Sequence, residues 1–206
     1  MIIGSGMIAS GLVDRSDVIQ YAAGVSNSQC TDEEEFTRDK ERLVKNLSRP
    51  GLFVYFSTCS EEDTPYVRHK RECEALIKRV HLICRLPTVS GNTPNPHTLL
   101  NFLYAKISRS EKFDLYPDAR RNIIDIVDVG TIVRMLLNRG DRGIVNVAAP
   151  MDYSMREIVA AFEKHLGKKA IYKEHEGGSQ TKIEAVESMI DWSGDYLGQI
   201  LWKRYR

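Results

Sequence analysis

Tyr66 and Lys70 stand four residues apart in Tyr66-Val67-Arg68-His69-Lys70, and on a helix that spacing puts both side chains on one face. An ammonium beside a phenol stabilises the phenolate and lowers its pKa from about 10 toward the working range, which suits a general acid/base for interconverting a hydroxyl and a ketone. Ser57-Thr58 precedes this pair, closing the apolar run Leu52-Phe53-Val54-Tyr55-Phe56. A threonine hydroxyl at a strand end can hydrogen-bond a substrate oxygen and orient it. At the start of the chain, Met1-Ile2-Ile3 runs into Gly4-Ser5-Gly6-Met7-Ile8-Ala9, a G-x-G-x-x-A pattern. A dinucleotide site needs glycine for the tight turn, glycine where the backbone approaches a pyrophosphate, and a small residue where helix and strand pack closely. The helix N-terminal amides then face the phosphates. Each motif alone is also something ordinary structure produces. The companion acidic residue about 20 positions on, after a second strand, is missing, because Asp17-Val18-Ile19-Gln20-Tyr21-Ala22-Ala23-Gly24 follows too soon for a further βα unit.

The elements that must position these residues follow from periodicity. Thr31 stands at capping-box spacing before Glu34, and Phe36, Leu43, Val44 and Leu47 recur at helical intervals until Arg49-Pro50-Gly51 breaks the helix. The run from Leu52 to Phe56 reads as a buried parallel strand. A helix over Tyr66 to Lys78 is entered through Pro65, with Val67, Cys73, Leu76 and Ile77 as core candidates, and His81 to Leu86 reads as the next strand. Residues 87–97 read as a loop. Helices over Leu99–Ile107, Val127–Asn138 and Met155–Gly167 then alternate with strands at Ile123–Ile126 and Gly143–Ala148. Such alternation argues for an α/β fold with a mostly parallel sheet.

Composition excludes several other classes. The 206 residues carry 29 Lys+Arg against 28 Asp+Glu, so the net charge of +1 supplies no field to attract a polyanion, and nucleic acid is not expected as a partner. No apolar run approaches the ~20 residues that span a bilayer, and no signal peptide is read, so no membrane partner is expected. The four cysteines, Cys30, Cys59, Cys73 and Cys84, match no metal-binding spacing. Free thiols, a cytoplasmic location and no metal are the expectation.

In order along the chain, the glycine turn, Asp17–Ala23, Phe53–Thr58 and Tyr66-x-x-x-Lys70 together resemble the extended short-chain dehydrogenase/reductases, the NAD-dependent epimerase/dehydratase family. Arg85-Leu86-Pro87-Thr88-Val89-Ser90-Gly91 is similar to that family's Arg-led strand and loop. Arg121 to Val129 resembles its R-x-F-I-x-V-x-D-V segment, and Asn146-Val147-Ala148 before Ser154-Met155-Arg156-Glu157-Ile158 resembles its closing motifs. The resemblance implies a Rossmann-type fold, NAD or NADP, and a nucleotide-linked sugar, with a core over about 1–90 and 118–148 and a small substrate lobe over about 91–117 and 149–206. It further implies that Thr58 orients the sugar oxygen, Tyr66 is the acid/base, Lys70 holds the nicotinamide ribose and tunes Tyr66, and Arg121 contacts the substrate diphosphate. Cofactor contacts are implied for Gly4, Ser5, Gly6, Met7, Ile8, Ala22, Ala23, Gly24, Ser57, Tyr66 and Lys70.

Departures from the family pattern matter as well. The second and third strands of the usual core are missing, and with them the residue that would read NAD against NADP. Only eight positions separate Thr58 from Tyr66, and Cys59-Ser60 stand where the dehydratases carry Asp-Glu. The expected activity is therefore reduction or epimerisation of a nucleotide-linked keto-sugar in polysaccharide biosynthesis, without dehydration. A non-catalytic protein that keeps the sugar-nucleotide cleft is the alternative. Loss of flanking strands also predicts that Met1–Ile3 lies at a sheet edge, hidden by a homodimer or by a local loop.

Overall fold

The computed structural model describes residues 1–180 and 182–205. The described chain falls into two units, the first comprising Met1–Pro87, Ile126–Val147 and Ala185–Ser188, the second Thr88–Asp125, Ala148–Glu184 and Met189–Arg206.

With labels in chain order, the first unit contains β1 (Ile2–Ile3), α1 (Met7–Ser10), β2 (Val18–Tyr21), α2 (Glu33–Leu47), β3 (Leu52–Thr58), α3 (Pro65–Ala75), β4 (Leu82–Leu86), α5 (Ile126–Arg139) and β8 (Gly143–Asn146). Its sheet has the order β1-β2-β3-β4-β8, parallel throughout. β1 forms one edge, as the sequence predicts. Successive side chains of a strand point to opposite faces, so Ile19 and Tyr21, Phe53 and Tyr55, and Ile83 line one face and pack with Leu43 of α2 and with Cys73 and Ile77 from α3 and the turn after it. Val54 and Phe56 are buried as well. Burial on both faces is why β3 is a continuous apolar run rather than an alternating one.

The helices begin where side chains satisfy orphan amides. The cap of α2 is Asp32, one residue beyond the expected Thr31: its carboxylate accepts from the N–H groups of Glu34 and Glu35 at 2.9 and 3.3 Å. A carboxylate also opposes the positive helix N-terminus, as do Glu33, Glu34 and Glu35 in the first turn. Thr64 caps α3, with Pro65 in its first turn. Of the expected core positions, Val44 and Leu76 are instead 52% and 48% exposed, because the buried faces run through Phe36, Asp39, Leu43 and Asn46 on α2 and through Val67, His69, Lys70, Cys73 and Glu74 on α3. α5 crosses α1 closely: a Cβ on Gly130 would run into the Gly11 carbonyl, and one on Gly11 would come within 2.6 Å of the Ile126 side chain.

The second unit contains β5 (Thr88–Ser90), α4 (Leu99–Ser108), β6 (Phe113–Leu115), β7 (Arg120–Asp125), β9 (Asp152–Ser154), α6 (Met155–Leu166), β10 (Tyr172–Glu174) and α7 (Tyr196–Arg204). β7 pairs parallel with β5 and antiparallel with β9, and β6 pairs with β10. Sequence periodicity misses β5, β6, β9 and β10, since three residues are too few to show a period, and it misses α7. Ser154 and Glu157 form a reciprocal capping box at the start of α6. A core of Leu100, Leu103, Ile107, Phe162, Leu197 and Leu201, among others, joins the helices. No helix among the described residues is long and apolar enough to cross a membrane.

Candidate active site

The two glycines of the turn differ in their surroundings. Gly4 adopts φ +124°, a region costly for any residue with a side chain, and a Cβ there would come within 2.6 and 2.9 Å of the Ala22 carbonyl carbon and the Ala23 nitrogen. The turn thus rests on the backbone that follows β2, where the Ala22 amide donates to the Ile3 carbonyl at 2.7 Å. Gly6 differs: a Cβ on it would meet nothing within 4 Å. Open space at the second glycine, at the N-cap of α1, fits a group that approaches this backbone, and a pyrophosphate is such a group.

Lys70 lies on the inner face of α3 and is only 4% exposed. Its ammonium sits 5.3 Å from the centre of the Tyr55 ring and 5.6 Å from that of Tyr66, within cation–π range, and it donates no hydrogen bond to any described residue. Gly24 leaves room for it, because a Cβ on Gly24 would stand 2.8 Å from Lys70 Nζ. Tyr66 is half-buried and packs against Val25, Cys30 and Phe36. The fold therefore gathers Gly24, Tyr66 and Lys70, and it joins Gly4 to Ala22 and Ala23.

Thr58 ends β3 and is half-buried. Its Oγ1 accepts from the Ser60 amide at 3.1 Å, and that contact leaves the hydroxyl hydrogen available. Arg71 fixes the backbone here by donating to the carbonyls of Thr58 and Ser60 at 3.0 and 2.9 Å. Arg71 is held in turn by Glu74, which also accepts from Ser57 Oγ at 2.5 Å and from Arg85 Nε and Nη2 at 2.9 and 2.5 Å. Burial pushes the Glu74 carboxyl up, but Arg85, Ser57 and Arg71 outweigh it and hold the group below the usual carboxylate range. The Ser57 hydroxyl is spent on this network. Arg121 belongs to the second unit, half-buried, with Nη1 donating to the carbonyls of Arg120 and Ser179.

Sequence reasoning does not find the buried polar group beside Lys70. Asp39 is 6% exposed and accepts from Tyr21 Oη at 2.9 Å, from the Val25 amide at 3.1 Å and from His69 Nε2 at 2.8 Å. His69 stacks on Phe36 with ring centres 4.5 Å apart. Burial raises the Asp39 carboxyl, yet His69, the Lys70 charge, Val25 and Tyr21 together bring it below its ordinary value. The available signal is a carboxylate between Phe36 and Leu43 on the apolar face of α2. Asp39, His69 and Cys73 offer ligand atoms within 4.8 Å of one another, but the cluster reads as a hydrogen-bonded Asp–His pair. Burial pushes the Cys73 thiol up to about 11.

No protein-family model matches the chain, and no curated protein matches it. Solved structures do share its fold. UDP-glucuronic acid 4-epimerase from Bacillus cereus, in complex with UDP-glucuronic acid and NAD, superposes with a TM-score of 0.68 at 17% identity over 92% of this chain and 74% of its own. RMD from Pseudomonas aeruginosa, complexed with NADPH, gives 0.62 at 15% identity over 80% and 69%. A dTDP-4-dehydrorhamnose reductase from Clostridium acetobutylicum gives 0.62 at 14% over 78% and 65%. The fold is thus the Rossmann-type α/β fold of these sugar-nucleotide epimerases and reductases.

Proposed function

We propose that the protein is an NAD(P)-dependent oxidoreductase or epimerase acting on a nucleotide-linked keto-sugar. The observation that carries this reading is Lys70, a residue only 4% exposed, whose ammonium has no hydrogen-bond partner among the described residues and lies near both the Tyr66 ring and Gly24. Burying a charge is costly unless something satisfies it; three free donors in this position suit the hydroxyls of a ribose. Epimerases and reductases of the same fold, solved with NAD or NADPH, support the choice of cofactor.

The nicotinamide, when bound, supplies or accepts hydride at the sugar carbon. In the reducing direction Tyr66 gives its phenolic proton to the carbonyl oxygen as that oxygen becomes a hydroxyl, and in the oxidising direction it takes the proton back. Lys70 holds the ribose and stabilises the phenolate that remains. Thr58 donates its free hydroxyl hydrogen to the same sugar oxygen and fixes the face it presents. For Arg121, in the second unit, a diphosphate-binding role is what the family resemblance implies, and a guanidinium fork suits such a group. The role proposed for this activity is in polysaccharide biosynthesis, which consumes nucleotide-linked sugars. Cys59-Ser60 stand after Thr58 where the dehydratases carry Asp-Glu, and burial raises the Cys59 thiol to about 12, so the reading is reduction or epimerisation rather than dehydration.

A second reading, a sugar-nucleotide binder without turnover, is favoured by the position of β1 at the sheet edge, where the family's further strands would stand. Turnover separates the two. A panel of nucleotide-linked keto-sugars is assayed for nicotinamide oxidation and, by NMR, for epimerisation. The enzyme reading expects one active substrate, and Tyr66→Phe should slow it by ~10²–10⁴-fold, as for a lost general acid/base. Near-wild-type turnover in Tyr66→Phe would overturn the mechanism.

A further inference from the structure

Asp39 is expensive to bury, and none of the residues implied by the family resemblance explains it. Its carboxylate reaches three elements at once: Tyr21 at the end of β2, the Val25 amide in the loop after β2, and His69 on α3. A buried carboxylate satisfied this fully is rigid. Lys70, the next residue after His69, turns its ammonium toward the same place. Lys70 Nζ and Asp39 Oδ2 stand 2.8 and 3.3 Å from the one point that a Cβ of Gly24 would occupy. Gly24 does not have the positive φ that demands glycine, so what distinguishes the position is space. The ammonium and the carboxylate share it.

We propose that Asp39, held by His69, Tyr21 and the Val25 amide, is the positioning residue that fixes the Lys70 ammonium, and that glycine at position 24 is what leaves room for it. Coulomb attraction between a fixed carboxylate and a nearby ammonium is strong where water is scarce. It draws the end of a four-carbon chain toward the loop formed by Ala22, Ala23 and Gly24 rather than out to solvent. Because Asp39 makes its hydrogen bonds to other groups, the three donors of Lys70 stay free for a ligand. The role given to those donors rests on the oxidoreductase reading, whereas the positioning of Lys70 does not.

The test reads Lys70 directly. Wild type, Asp39→Asn and Gly24→Ala are treated with an acetylating reagent under native conditions, and the modification of Lys70 is followed by mass spectrometry. Iodoacetamide labelling of Cys73, one turn further along α3 and fully buried, serves as control. In wild type Lys70 is protected. In Gly24→Ala the added methyl displaces the flexible end of Lys70 and touches Asp39 Oδ2 at 3.3 Å, a contact that a shift of a few tenths of an ångström relieves, so the fold persists while Lys70 acetylates about tenfold faster and Cys73 stays protected, as expected when one contact of a coupled group is lost. Asp39→Asn should expose Lys70 similarly; if it fails to fold, Gly24→Ala decides. Unchanged Lys70 protection in folded variants, or Lys70 and Cys73 exposed in parallel by general loosening, overturns the proposal. Titrating the same three proteins with NADH and NADPH separates the two claims. Wild type that binds neither cofactor while Lys70 responds as stated contradicts the oxidoreductase reading and supports the positioning role.

Discussion

Glu74→Gln tests the network that fixes the strand end carrying Thr58. The substitution keeps shape and volume but replaces a buried carboxylate, 7% exposed, by a neutral amide that cannot accept on both arms. Charge-assisted bonds from Arg71 and Arg85 and the Ser57 bond are weakened or lost. Breaking a buried pair costs about 3–5 kcal/mol when the surviving charge is stranded. Here the Arg71 and Arg85 side chains are 29% and 26% exposed and can turn partly to water, which places the expected loss at about 2–4 kcal/mol. At this chain length that corresponds to a fall in Tm of roughly 5–15 °C. Its pH dependence is the sharper signature. The folded-state pKa of Glu74 lies below its unfolded value, so its stabilisation is complete above the unfolded pKa of about 4.3 and is lost as pH falls through the folded one. Urea unfolding followed by circular dichroism, repeated from pH 7 down to pH 3, should show wild type and Glu74→Gln converging in acid. A difference below about 0.5 kcal/mol at pH 7, or one that does not change with pH, would refute the reasoning.

Gly4→Ala, at φ +124° and against the Ala22 and Ala23 backbone, should destabilise by about 1–3 kcal/mol, measured by thermal unfolding, whereas Gly6→Ala should leave Tm unchanged because its Cβ faces open space. Cys59 and Cys73, buried and pushed up to about 12 and about 11, should react with a disulfide reagent at pH 8 only on the unfolding timescale; fast labelling of either in the native protein would contradict their burial. In the second unit, Asp125 is 3% exposed and accepts from both Nη2 contacts of Arg204 at 2.7 and 2.9 Å as well as from Lys203. Asp125→Asn should therefore cost about 2–4 kcal/mol in urea unfolding, and a neutral result would show that these bonds are compensated by solvent.

How much of this was readable before the fold was known depends on whether a residue acts locally or through tertiary partners. The sheet strands Leu52–Thr58 and Leu82–Leu86 and the helices α2, α3, α5 and α6 announce themselves, because continuous burial and helical periodicity are local properties of sequence. Gly4, Gly6, Tyr66 and Lys70 are legible for the same reason, through spacing alone. Asp39 and Glu74 are not, although each sits on the buried face of its helix. Their meaning comes from Tyr21, Val25 and His69 in one case and from Ser57 and Arg85 in the other, partners on separate elements that only the fold brings together, with Arg71 the one local partner, three residues before Glu74 on α3. The three-residue strands of the second unit exist by pairing, β6 with β10 and β7 with β5 and β9, and no window of sequence contains both partners.

The claim that a dinucleotide enters at the glycine turn is tested most directly by titrating wild type and Gly6→Val with NADH and NADPH, following quenching of protein fluorescence. Gly6 has no neighbour within 4 Å of a Cβ, so valine there should leave the fold intact while filling the space the pyrophosphate needs. The account expects saturable binding of at least one cofactor by wild type and none by a folded Gly6→Val. Equal binding by both proteins, or no binding by wild type at millimolar cofactor, would contradict it.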